Sequence, residues 1–154
     1  MTIETFAFRL ICALVAGLLI GVERQLRHQQ AGLTTNALVA IGACIYILIS
    51  ESVLNIIVPQ ADGTAGDQLR VLAQIVTGVG FLGAGVIMKN GTNIHGLGSA
   101  ATIWCSAAVG CLCGYGLWKE SALSLGVILF VNWFIKGLEI KIRKKQEEKS
   151  TKNS

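Results

Sequence analysis

Polar side chains at regular spacing inside an apolar segment are the first feature of this sequence that could do chemistry. Asp67, Arg70, Gln74 and Thr77 are spaced i, i+3, i+7 and i+10, which places them on one face of a helix. Arg9 lies at a similar depth in an earlier apolar run. Charges inside a membrane are costly, so such residues are usually paired with one another or functional. We expect either an ion-pair network of Asp67, Arg70 and Arg9, or a site for an ion or another ligand.

A second group of polar residues could meet on the opposite side of a membrane. Glu23 and Arg24 come directly after the first apolar run, and Asn93 comes after the third. Further polar residues accompany them: Arg27, His28, Asn90 and His95. Two interpretations stay open, a joint functional site or an ordinary solvated belt at the level of the lipid headgroups.

The sequence contains no convincing motif for a cofactor, a metal or catalysis. Residues 78–83, G-V-G-F-L-G, match the dinucleotide fingerprint in letters only, because no strand precedes them and the next acidic residue, Glu120, is too distant. The five cysteines lie in apolar runs without a C-x-x-C pair, which favours packing roles. The sequence has neither a nucleophile elbow nor an H-E-x-x-H motif. We therefore expect no enzymatic activity, no cofactor or metal, and no nucleic-acid partner.

Five apolar segments must position these residues. The chain is 53% hydrophobic and only 14% charged, whereas soluble domains carry about 25% charged residues. The segments cover approximately residues 6–22, 35–50, 69–88, 97–115 and 122–138. Each is close to the roughly 20 residues that a helix needs to cross a bilayer, and spans in lipid must satisfy their own backbone groups. The sequence predicts an all-α membrane protein, a bundle of about five transmembrane helices over residues 1–140, followed by a basic tail at 141–154.

The distribution of Lys and Arg predicts the orientation. Basic residues concentrate after the first, third and fifth segments, and the tail alone contains six of them. The positive-inside rule then places the N-terminus outside and the C-terminus inside. Such a tail is either a simple stop-transfer anchor or a binding segment for anionic lipid, so membrane lipid is an expected partner.

Small residues recur at helical spacing in several segments. In the fourth segment they come every four residues: Gly98, Thr102, Ser106, Gly110 and Gly114. The third segment contributes Gly80, Gly83 and Gly85. Small side chains let two helix backbones approach closely in lipid. We expect segments one, three and four to pack through these glycines, either within one bundle or in part as the interface of a homo-oligomer.

Three strings of this sequence resemble the signatures of the MgtC/SapB family, and of its MgtC branch in particular. They are G-L-L-I-G-V-E-R-Q-L-R-H-Q-Q-A-G-L-T-T-N-A-L-V-A at 17–40, A-Q-I-V-T-G-V-G-F-L-G-A-G-V-I-M at 73–88, and G-T-N-I-H-G-L-G-S-A-A-T-I-W-C-S-A-A at 91–108. The family's E-R pair falls on Glu23 and Arg24, its glutamine on Gln74 and its asparagine on Asn93. One departure is Thr34, where the family usually has arginine.

The resemblance implies a multi-pass protein of the bacterial inner membrane that is linked to growth in low magnesium and, in pathogens, to survival inside host cells. It also implies a partner, since some members are thought to restrain the ATP synthase. MgtC members continue into a soluble cytoplasmic domain, and this sequence is expected to lack it. Two functions therefore stay open: a non-enzymatic regulator of another membrane complex, and a transporter or channel for a cation or small solute.

Overall fold

A computed structural model of the protein describes residues 1–57, 64–90 and 92–135, without the side chains of 55–57, 64–67, 90 and 135. Its elements are α1 (Ile3–Leu26), α2 (Leu33–Ile57), α3 (Thr64–Val86), β1 (Met88–Asn90), β2 (Asn93–His95), α4 (Leu97–Gly114) and α5 (Trp118–Phe130), which continues as a π-helical turn at Val131–Ile135. The basic tail predicted at 141–154, and with it the boundary between the two predicted regions, lies outside the described residues.

Four of these helices are long and apolar enough to cross a membrane. They are Ile3–Leu26, Leu33–Leu54, Gln68–Val86 and Leu97–Gly114. The predicted fold class, an all-α bundle of membrane-spanning helices, is therefore confirmed. The fifth predicted span begins earlier than expected, at Trp118, and its helix runs to the end of the described residues, so its full length stays a prediction.

The connection between α3 and α4 is a short antiparallel β-hairpin in which Lys89 lies opposite Ile94. Consequently α3 ends at Val86, two residues before the predicted end of the third segment. Gly96 follows the hairpin with a φ of 89°, a left-handed conformation that glycine adopts without strain. A Cβ at Gly96 would also collide with the carbonyl oxygen of Val86, so the start of α4 requires glycine here.

Helix α2 is central and packs against both α1 and α4. Glycines in the two neighbours allow this close approach. A Cβ added at Gly17 of α1 would lie 2.7 Å from Ala37 Cα, and one added at Gly110 of α4 would lie 2.9 Å from Ala40 Cα. Because lipid gives helices no hydrophobic reason to associate, backbone contacts of this kind supply much of the attraction between them.

Helix α3 lies at the rim of the bundle and packs mainly on α4. Its buried positions are four residues apart: Ile75, Val79 and Gly83. A Cβ at Gly83 would make an ordinary contact, 3.6 Å from Ala100 Cβ. Gly80 and Gly85 lie on other faces, where a Cβ would meet no atom within 4 Å. Among the described residues these two glycines make no helix contact, and their packing at an interface between chains stays a prediction.

Helix α5 returns to the bundle beside α1 and α4. The Phe8 ring of α1 meets the Trp118 ring edge-on, with the ring centroids 5.1 Å apart. Cys113 Sγ and Ser121 Oγ are 3.2 Å apart and form a buried hydrogen bond between α4 and α5. These contacts fix the start of α5, the region that precedes the predicted fifth span.

The predicted orientation leads to a direct test with reporter fusions. A reporter fused after Ser154 should be active only in its cytoplasmic form, because the basic residues concentrate on that side. The same reporter inserted after Asp62, between α2 and α3, should be active only in its periplasmic form. Periplasmic activity after Ser154 would contradict the orientation.

Candidate functional site

The outer end of the bundle, in the predicted orientation, contains an ion pair that joins three helices. Arg9 Nη1 of α1 donates a hydrogen bond to Glu51 Oε2 of α2 at 2.5 Å, and another to the Gly114 carbonyl oxygen of α4 at 2.7 Å. The side chains of Arg9 and Glu51 are 14% and 29% exposed. A cation at the C-terminus of a helix satisfies carbonyl groups that have no partner within the helix. We name Arg9, Glu51 and the Gly114 carbonyl group the outer cluster.

The outer cluster differs from the predicted network of Arg9, Asp67 and Arg70. The described ion partner of Arg9 is Glu51, because α2 lies directly against α1 whereas α3 lies at the rim. The Asp67 side chain lies outside the described residues. Arg70 is exposed on α3, and among the described side chains it forms no ion pair. Among the described side chains Arg9 and Arg70 share no partner, and the part of the predicted network that runs through Asp67 stays a prediction.

The opposite end of α1 carries a second set of charges. Arg27 Nε lies 2.5 Å from Glu23 Oε1, and Arg24 Nη1 lies 3.9 Å from Glu23 Oε2. Arg24 Nη2 also donates a hydrogen bond to Gln29 Oε1 at 3.0 Å. Arg24 is only 1% exposed, which is unusual for an arginine, and burial of this kind requires partners for the charge. We name Glu23, Arg24, Arg27 and Gln29 the inner cluster.

Asn93, which the sequence grouped with Glu23 and Arg24, does not share their described contacts. It is exposed in β2, opposite Asn90 of β1. The two chain segments do meet, but through other residues: a Cβ at Gly96 would lie 2.8 Å from Gln30 Oε1. The sequence thus placed the two connections on the same side of the bundle without identifying the residues that bring them together.

A buried polar contact between α2 and α4 was missed by the sequence reasoning. Asn36 is 0% exposed, and its Nδ2 atom donates hydrogen bonds to the carbonyl oxygens of Ala31 at 3.0 Å and Gly32 at 2.8 Å. Ser106 Oγ donates to Asn36 Oδ1 at 2.8 Å. An asparagine at the start of an apolar run was the available signal, since a buried amide needs partners from a neighbouring helix.

A groove of about 780 Å³ lies between α2 and α3. Two members of the predicted stripe on α3, Arg70 and Gln74, line it together with Tyr46 of α2. Thr77, the last member of the stripe, instead donates a hydrogen bond to the Ala73 carbonyl oxygen at 2.9 Å. Two residues of the predicted stripe thus face the groove, and a third is bound to the backbone of its own helix.

One cysteine lies beside the outer cluster: Cys44 Sγ donates a hydrogen bond to the Arg9 carbonyl oxygen at 3.6 Å. Cys44, Cys111 and Cys113 are buried and free. Among the residues that the structure describes, no group of three or more His, Cys, Asp or Glu side chains could hold a metal ion. The outer and inner clusters stabilise the ends of the bundle, and the groove offers a mixed polar and apolar surface.

This combination defines a multi-pass helical membrane protein whose charges sit at the two ends of a tightly packed bundle. The chain belongs to the MgtC family, which matches it over residues 10–141. Protein MgtC of Salmonella typhimurium strain LT2 is 47% identical over 132 residues, covering 86% of this chain and 53% of the relative. Protein MgtC of Brucella abortus strain 2308 is 49% identical over 128 residues, covering 82% of this chain and 49% of the relative.

The family membership confirms the resemblance carried by the three sequence strings. The chain spans about half the length of the curated relatives it matches. No solved structure matches it.

Proposed function

We propose that the chain is the membrane-embedded part of a non-enzymatic regulator in the bacterial inner membrane, which acts on another membrane complex during adaptation to low magnesium and, in pathogens, during survival inside host cells. The proposed target is the ATP synthase. The carrying observation is how the bundle is closed: Arg9 holds together the ends of α1, α2 and α4, and Gly17 and Gly110 bring backbones into contact below it. A regulator needs a stable surface, and this packing supplies one.

The charges inside the bundle also favour a regulator. A magnesium path would need several carboxylate or carbonyl oxygens around the ion. Glu51 is held by Arg9, and the buried Asn36 amide is held by Ser106 and two backbone carbonyl groups. These polar groups therefore bind one another and stabilise the packing between α1, α2 and α4.

One observation favours the alternative, a transporter or channel. Arg70, Gln74 and Tyr46 line a groove beside the core, and polar residues at membrane depth often mark a solute path. This groove lies between α2 and the rim helix α3, outside the packed trio of α1, α2 and α4. A solute path there would have to form by movement of α3 relative to α2.

Two assays on the purified chain separate these functions. In liposomes, magnesium entry should equal that of protein-free vesicles. In inverted membrane vesicles that contain ATP synthase, added chain should lower ATP-driven proton uptake. Because the chain spans about half of its relatives, a full-length relative is the positive control for the second assay. Magnesium flux that rises with the protein-to-lipid ratio would contradict the regulator and establish the transporter. If the full-length relative lowers proton uptake and this chain does not, the region that the chain covers is not sufficient to inhibit the ATP synthase.

A further inference from the structure

The groove between α2 and α3 has an apolar floor that the chain itself leaves open. Its lining includes Leu38 and Gly42 of α2, and Gly78 and Leu82 of α3. A Cβ at Gly42 or Gly78 would meet no atom within 4 Å, so both glycines widen the groove without supporting a helix contact in this chain. The apolar part of the groove could therefore hold a narrow apolar group such as a hydrocarbon chain.

One end of the groove is polar and positively charged. Arg70 and Gln74 are one helical turn apart on α3 and both line the groove. Arg70 is exposed, and no described carboxylate is paired with it. Its guanidinium group has the planar donor geometry that binds phosphate through two hydrogen bonds. The occupant should thus combine an anionic head with an apolar chain.

The groove follows α3 from Arg70 to Leu82, a length of about 18 Å at 1.5 Å per residue. An extended hydrocarbon chain can lie along this apolar length while an anionic head group lies beside Arg70. A single lipid therefore matches both the charge at one end of the groove and the apolar lining of the rest.

From this geometry we infer that the groove binds one anionic phospholipid, with its phosphate on Arg70 and an acyl chain between α2 and α3. Gln74 lies where its amide can donate to the ester or phosphate oxygens of the lipid. The bound lipid fills the space beside the rim helix and couples the position of α3 to the composition of the leaflet at the Arg70 end.

The inference is tested with the full chain, purified in detergent and stripped of lipid. Phosphatidylglycerol should raise the melting temperature more than phosphatidylcholine of the same acyl chains, because a bound ligand stabilises the folded state. Arg70→Gln should weaken phosphatidylglycerol binding by at least roughly tenfold, because it removes the charge-assisted hydrogen bonds of the guanidinium group to the phosphate. Lys119→Gln, which removes a charge from α5 away from the groove, is the matched control and should bind as the parent does. A preference for phosphatidylglycerol that Arg70→Gln retains would overturn the inference and assign the preference to other basic residues.

A second pair of variants tests the acyl-chain position. Gly78→Leu should fill the groove and weaken binding of phosphatidylglycerol, while Gly80→Leu on another face of the same helix should leave it unchanged. Both positions have open space around a Cβ, so both variants should fold. Equal binding by the two variants would overturn the acyl-chain position. So would a dimer that Gly78→Leu dissociates, because the groove would then be covered by a second copy.

Discussion

Replacing Gly110 with leucine should disrupt the contact between α2 and α4. A single Cβ at this position already collides with the backbone carbonyl group of Ala40 and would lie 2.9 Å from Ala40 Cα. Backbone atoms of a helix cannot turn aside as a side chain can, so the two helices must separate. Overpacking in a core typically costs about 1–3 kcal/mol and sometimes more, and we expect the leucine variant to exceed that range. The measurement is the thermal unfolding temperature of the purified protein in detergent.

The same substitution at Gly80 is the matched control. Gly80→Leu introduces the same side chain into a membrane helix where a Cβ meets no atom within 4 Å, so the unfolding temperature should stay close to that of the parent. Gly110→Ala should fall between the two, because alanine brings the collision without the larger side chain. If Gly110→Leu and Gly80→Leu unfold at the same temperature, the close approach of α2 and α4 does not determine stability.

The contrast between Gly110 and Gly80 shows how far the sequence could predict the packing. Gly110 belongs to a row of small residues that recur every four positions, and this row identified the buried face of α4. Gly85 is two residues from Gly83 and lies on the opposite side of α3, but Gly80 is only three residues from Gly83 and is nevertheless exposed. A repeat of several small residues can thus identify a packed face, whereas the spacing of a single pair of glycines cannot. The sequence does not show which residue Gly110 meets on the facing helix. That residue, Ala40, follows from the packing of α2 against α4.

The choice of neighbours also explains why the predicted partner of Arg9 differs from the described one. Helical spacing favoured the stripe on α3, which contains Asp67, as the place of the partner. The fold places α2 against α1, so Glu51 reaches Arg9. The carbonyl group of Gly114 could not be foreseen at all, because a helix end offers acceptors without any sequence signature.

The distribution of contacts suggests how the bundle could serve a regulator. Arg9 and the Asn36–Ser106 hydrogen bond connect α1, α2 and α4. Helix α3 contacts this trio through aliphatic side chains and through one hydrogen bond, which the Tyr115 hydroxyl group donates to the Gln68 carbonyl oxygen. Helices held by few close contacts and hydrogen bonds open with a lower free energy. The rim helix and its groove are therefore the part of the described bundle that could respond to a partner or to lipid, while the trio keeps its shape.

The outer cluster should behave as a coupled unit rather than as separate charges. Arg9→Gln leaves the Glu51 carboxylate without its cation, and Glu51→Gln leaves Arg9 without its anion. Breaking a fully buried pair from one side costs about 3–5 kcal/mol. Since Arg9 and Glu51 are 14% and 29% exposed, we expect roughly 2 kcal/mol for each single change after allowing for solvent screening. Arg9→Gln should be the more costly, because it also removes the donor to the Gly114 carbonyl oxygen.

The double variant decides whether the pair is coupled. With both partners neutral, no charge is left uncompensated, so the loss should fall at least about 1 kcal/mol short of the sum of the two single losses. The control cycle combines Arg9→Gln with Arg70→Gln, which the structure places on the rim helix. That cycle should be additive within about 0.5 kcal/mol. If the free-energy losses of the Arg9 and Glu51 variants are additive, the ion pair makes no measurable contribution to stability. Coupling between Arg9 and Arg70 would instead restore the network that the helical spacing of the α3 stripe first indicated.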